Sequence, residues 1–226
     1  VPRIATARFP LEALERPTRS LLLLFAGAGS YGAVLGSWHG PRLAAYAALK
    51  LPLVLLATAL LTTPFAALMV RALGLRISVA QTARLALGCL ALAALVMASL
   101  APVAALFTWT GPPPSPAART PHNLLYLLHT AVVGGSGVTA VVALRRRLVA
   151  SAPSISAARG VLVSWIVLFA LVGGEVAWAL RPFVGSVFEP VALVRADALD
   201  GNVYEFIWTD VAPHLARRLG LQGDPP

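Results

Sequence analysis

Apolar residues fall in five long blocks along this chain, separated by short polar segments. The blocks cover about Leu21–Trp38, Ala44–Val70, Leu85–Trp109, Asn123–Leu144 and Val161–Leu180. Crossing a hydrocarbon core of about 30 Å takes roughly 20 mostly apolar residues in a helix. In lipid the backbone must satisfy its own polar groups, which makes helices of such blocks. The pattern predicts an all-α polytopic membrane bundle of five transmembrane helices over residues 21–181. An interfacial segment, 1–20, precedes it, carrying four arginines, broken by Pro10 and Pro17, with Phe9, Leu11 and Leu14 among them. A tail with a short amphipathic helix, 182–226, follows.

Local signals refine this plan. Pro52 and Pro64 lie inside the second block and Pro102 inside the third. Membrane helices tolerate such kinks where neighbours satisfy the freed carbonyls. The run Gly111-Pro112-Pro113-Pro114-Ser115-Pro116 reads as an extended, solvated loop. In the tail, Asp200-Gly201-Asn202 reads as a turn and helix cap. Beyond it Tyr204, Trp208, Val211 and Leu215 recur at helical spacing and form an apolar stripe suited to docking on a partner.

Charge gives the blocks an orientation. Only 12% of residues are charged, against about 25% in soluble domains. The net charge of +9 would point to nucleic acid in a soluble chain. Here the arginines sit between apolar blocks, which is the pattern of membrane topology, and no nucleic-acid partner is expected. The N-terminal segment, the 71–84 loop and the 145–160 loop hold Arg3, Arg8, Arg16, Arg19, Arg71, Arg76, Arg84, Arg145, Arg146, Arg147 and Arg159. The other side has Arg42, Lys50 and Arg119 and an acidic tail. The positive-inside rule places the N-terminus in the cytoplasm and the tail outside. The expected partners are membrane lipids and other membrane protein subunits.

Few residues suggest chemistry. The four histidines and Cys89 lack zinc-ligand spacing, and no metal or cofactor is expected. Glu175 is an acid inside an apolar block, costing about 2.5–3.5 kcal/mol on insertion scales, and needs a partner. Helical rise places Glu175 and His129 at about the same depth, roughly 9 Å below the tail-side surface. Lys50 and Arg181 lie near that surface, so the expected constellation is a polar cluster of Glu175, His129, Lys50 and Arg181. The alternative reading is a structural ion pair for Glu175 and a packing role for His129.

Gly134-Gly135-Ser136-Gly137 resembles the GxSG of rhomboid-type intramembrane serine proteases. In that family a later span supplies the histidine that takes the serine proton. No later span here carries one, and His129 is about two turns from Ser136. Close helix packing through small residues is the expectation, for Gly134 and Gly137 as for Gly32 and Gly36.

The string Trp178-Ala179-Leu180-Arg181-Pro182-Phe183-Val184-Gly185-Ser186 reads as a membrane exit. With Asp200-Gly201-Asn202-Val203-Tyr204-Glu205, Lys50-Leu51-Pro52-Leu53 and Ser99-Leu100-Ala101-Pro102, it resembles a group of uncharacterised bacterial polytopic membrane proteins over residues 45–208. Nothing catalytic carries over from that group. The five-span plan is also similar in architecture to the Yip family of membrane-trafficking proteins. Together these readings favour a non-catalytic accessory subunit of a larger membrane complex. The alternative is a small ion or proton channel or transporter built around Glu175.

Overall fold

A computed structural model describes residue 14 and residues 16–115, 119–185, 191–213 and 216. Most of the interfacial segment, as well as Ser186 and Leu215, lies outside these residues. Among the described residues there are five long helices: α1 (Pro17–Ser37), α2 (Pro41–Ala72), α3 (Val79–Thr110), α4 (Arg119–Ser151) and α5 (Ile155–Ala179). Each is long and apolar enough to span a membrane. A short α6 (Val203–Phe206) continues into a π-helical turn, Ile207–Val211.

The helices outrun the apolar blocks, chiefly at the arginine-bearing end. Helix α4 passes through Arg145–Arg147 to Ser151, and α5 starts at Ile155. Hydropathy marks where lipid begins, whereas helix ends are set by caps. Ser78 caps α3 with a reciprocal Gln81 bond, and Ser154 caps α5 through the Ala157 N–H. Helix α2 is capped by Leu73, just past its end, and Gly74 follows at φ +74°, the left-handed stop that glycine favours. Pro52 and Pro64 do not break α2. Near Pro64 the hydroxyls of Thr62 and Thr63 donate to the Thr58 and Ala59 carbonyls of their own helix, which satisfies both hydroxyls within α2.

Helix α1 packs on α2 and α3, α2 on α5, α3 on α4, and α4 on α5. The helices thus close a ring in the order α1, α2, α5, α4, α3, with α2 and α3 also touching across it. Without a hydrophobic drive between helices in lipid, close backbone approach holds such a ring. A Cβ on Gly36 would lie 2.5 Å from the Leu43 carbonyl oxygen, and one on Gly32 would overlap the Ala47 carbonyl. Gly27 does the same against α3, with 2.6 Å to the Ala94 oxygen.

Gly134 and Gly137 behave otherwise. Among the described residues a Cβ at either would meet no atom beyond its own helix turn within 4 Å, so neither mediates close packing there. The expectation treated every small-residue pair alike. A glycine run carries no information about which side of its helix faces a neighbour.

The interior divides into two stacked cores. Leu75, Leu85, Leu148, Val161 and Trp165 belong to the core at the arginine-bearing end. Leu24, Tyr31, Leu51, Met97 and Val184 belong to the core at the tail end. Phe169 packs against both. Where they meet, α2–α5 enclose a cavity of about 490 Å³ lined by apolar side chains.

Candidate functional site

Depth along the helices predicts one polar cluster of Glu175, His129, Lys50 and Arg181. Among the described residues no hydrogen bond or ion pair joins any two of the four. The four settle into separate sets, and three of them are tied to the tail.

Lys50 lies on α2 about 14 Å from its Pro41 end, by helical rise, and is only 1% exposed. A buried ammonium needs polar neighbours to offset lost hydration. Its Nζ donates to the carbonyl of Pro182 at 3.0 Å and of Ala192 at 3.4 Å. The Phe183 ring lies 5.8 Å from it, within cation–π range. The chain after α5 therefore dips into the bundle mouth to meet this lysine, and Val184 follows it into the core at 2% exposure.

Arg181 holds the next stretch. Its guanidinium stacks on Trp178 at 3.8 Å and donates to the Trp178 carbonyl at 2.9 Å. It also donates to the backbone carbonyl of Asp197 at 3.1 Å and to its carboxylate at 3.4 Å. Arg195 grips the same carboxylate at 2.8 and 2.9 Å. The Arg195 hydrogen bond holds the Asp197 carboxyl below its ordinary range, and the charges of Arg195 and Arg181 act in the same direction.

Glu175 is half-buried on α5, beside Tyr204 of α6. Asn202 caps α6 through the Glu205 N–H. That cap aims Tyr204 back along α5, where its hydroxyl donates to the Leu171 carbonyl at 2.5 Å. The Tyr204 hydroxyl also lies over Gly174, where a Cβ would come within 3.0 Å of it. Burial raises the phenol's pKa, and the Glu175 charge raises it further. Phe206 packs on Trp178 with ring centroids 5.1 Å apart. The tail helix thus runs beside the last turns of α5, reaching about 12 Å back from its end.

His129 belongs to a different pair. Its Nδ1 is 2.8 Å from the hydroxyl of the fully buried Tyr31 on α1, with the rings edge to face. Its Nε2 is buried and makes no hydrogen bond among the described residues. Ser136, seven residues on, donates to the Val132 carbonyl of its own helix at 2.5 Å.

Sequence reasoning missed a second constellation on the tail side. His122 stacks on Trp38 at 4.9 Å and bonds the Gly185 carbonyl at 2.9 Å. Trp38 donates to the Pro112 carbonyl, and Trp109 to the Ser37 hydroxyl. Gly185 adopts φ +91° against His39 and Leu43. Trp38 and Trp109 end their apolar blocks in the sequence; their partners, 74 and 72 residues away respectively, were not legible there.

Of the expected docking stripe, Trp208 is 79% exposed, while Tyr204 and Val211 are each exposed by about two-fifths. Phe206 and Ile207 add to the same apolar surface. A third exposed feature lies on α4, whose apolar window is only 22% buried, against 44% for α1. Ala131, Gly135 and Thr139, four residues apart, all face outward, and a Cβ on Gly135 would meet nothing within 4 Å. Comparison with protein-family models, curated proteins and solved structures finds no match to this chain.

Proposed function

We propose that this chain is a non-catalytic accessory subunit that binds other subunits of a membrane complex through α4 and the tail. The outward face Ala131–Gly135–Thr139 carries this reading. A mid-helix glycine costs about 0.5–1 kcal/mol relative to alanine, and small residues four apart repay that cost where a second helix comes close. Among the described residues nothing outside its own helix turn comes within 4 Å of a Cβ built on Gly135. A transmembrane helix of another subunit is the occupant that gives the face a purpose.

The tail supports the same reading. Two cations are committed to fastening it, and the fastened tail presents Trp208 with Ile207 and Val211. Aromatic residues are enriched at the centres of protein interfaces. The proposed orientation places the arginine-rich loops in the cytoplasm of a bacterial cell and this aromatic surface outside.

Conduction through Glu175 finds less support. Glu175 lies beside Tyr204, whose hydroxyl is bonded to the Leu171 carbonyl, and the cavity at mid-bundle is lined by apolar groups. Buried Thr58, Thr62, Thr108 and Ser136 each donate to their own helix backbone.

Purification from native membranes in mild detergent, with mass measurement, tests the proposal. The expected result is a heteromeric complex that Gly135→Ile dissociates while the released chain keeps its melting temperature. A wild-type chain recovered only as a monomer, or only as copies of itself, contradicts it.

A further inference from the structure

The mid-bundle cavity has a mouth. Most of its lining is buried, but Val138 on α4 is 63% exposed and Ile166 on α5 is 37% exposed. The opening therefore lies between α4 and α5, facing lipid. Below it the two helices close again through Leu148, Val161 and Leu162. At about 490 Å³ the cavity falls within the usual range of ligand sites, roughly 300–1,000 Å³. Gly137 lines it with nothing within 4 Å of where a Cβ would be, which keeps the chamber wide.

Charge lies beneath the mouth. Arg145 is seven residues after Val138, two turns along the same line of α4 and about 10 Å nearer the arginine-bearing surface. Arg146 adjoins it, and both side chains are exposed. Neither makes a hydrogen bond or ion pair among the described residues. A chain entering at Val138 would leave its polar end beside these two guanidiniums, which match phosphate oxygens in charge and geometry.

We infer that this cavity binds one hydrocarbon chain of an anionic membrane lipid, with the lipid's phosphate on Arg145 and Arg146. Entry is sideways from the leaflet that bathes the arginine-bearing end. A hydrocarbon chain gains little on moving from lipid into an apolar chamber, because lipid tails are as apolar as the lining. Occupancy therefore depends on filling the chamber together with the phosphate contact.

Native mass spectrometry of the chain, purified with its membrane lipids in mild detergent, tests this. One anionic lipid per chain is expected. Gly137→Leu fills the chamber and should lower that adduct at least tenfold, and Val138→Trp at the mouth should do the same. Arg145→Ser with Arg146→Ser should keep a lipid but lose the preference for anionic over neutral headgroups. Fragment masses separate a phospholipid acyl chain from an isoprenyl phosphate, two sources of the same chemistry. A lipid retained equally by wild type and both cavity variants, with melting temperatures showing them folded, overturns the inference. So does a wild-type chain that carries no lipid.

Discussion

Lys50 decides where the tail lies. An ammonium on an apolar helix has to find acceptors, and it finds two carbonyls of the chain after α5. Hydrogen bonds to charged groups are worth about 1.5–3 kcal/mol. Lys50→Met should therefore raise tail opening roughly ten- to a hundredfold, read as faster proteolysis after α5, while the five helices stay folded. The His129–Tyr31 pair allows a second test. Tyr31→Phe leaves a buried ring nitrogen unbonded and should cost about 1–3 kcal/mol. Adding His129→Leu should cost less than the two single changes summed, a coupling that thermal melts in detergent can measure. Sequence placed Glu175, His129, Lys50 and Arg181 by depth, because helical rise converts residue number into distance. It could not place them around the bundle axis. A polar residue's partner depends on which helices are neighbours, and nothing in one apolar block names the block beside it.

At the scale of elements, glycine position separates two behaviours that look identical in the sequence. Gly36→Ala forces a Cβ against the Leu43 carbonyl and should destabilise the α1–α2 contact by about 1–3 kcal/mol. Gly134→Ala enters open space and should stabilise α4 by about 0.5–1 kcal/mol. A melting comparison of the isolated chain in detergent checks both signs. The five spans were legible because long apolar blocks admit little else. The course of the tail was not, because its apolar stripe pointed only to an unnamed partner. Asp197 is instead turned toward Arg181 and Arg195, and Tyr204 toward α5. This predicts a pH dependence. Arg195 and Arg181 depress the Asp197 carboxyl in the folded state, so its contribution to tail docking is present above the ordinary carboxylate pKa of about 3.9 and disappears as pH falls below that. Acidification should release the tail in this window, and Asp197→Asn should abolish that pH response, as tail proteolysis at each pH can show.

The whole molecule is unevenly packed. Helices α1, α2 and α3 bury much of their surface against one another, while α4 and α5 leave most of theirs to the surroundings. Two cores and the apolar cavity between them divide the bundle along its length. Beside this loosely covered half stand the small-residue face of α4 and, at one end, an aromatic surface fastened by Lys50 and Arg181. The accessory-subunit proposal rests on those two surfaces meeting protein and not only lipid. A photo-crosslinking residue at position 208, in place of Trp208, illuminated in native membranes, tests that claim most directly. The account predicts a discrete adduct with one other membrane protein, weakened when Lys50→Met frees the tail. Adducts with lipid alone would contradict it.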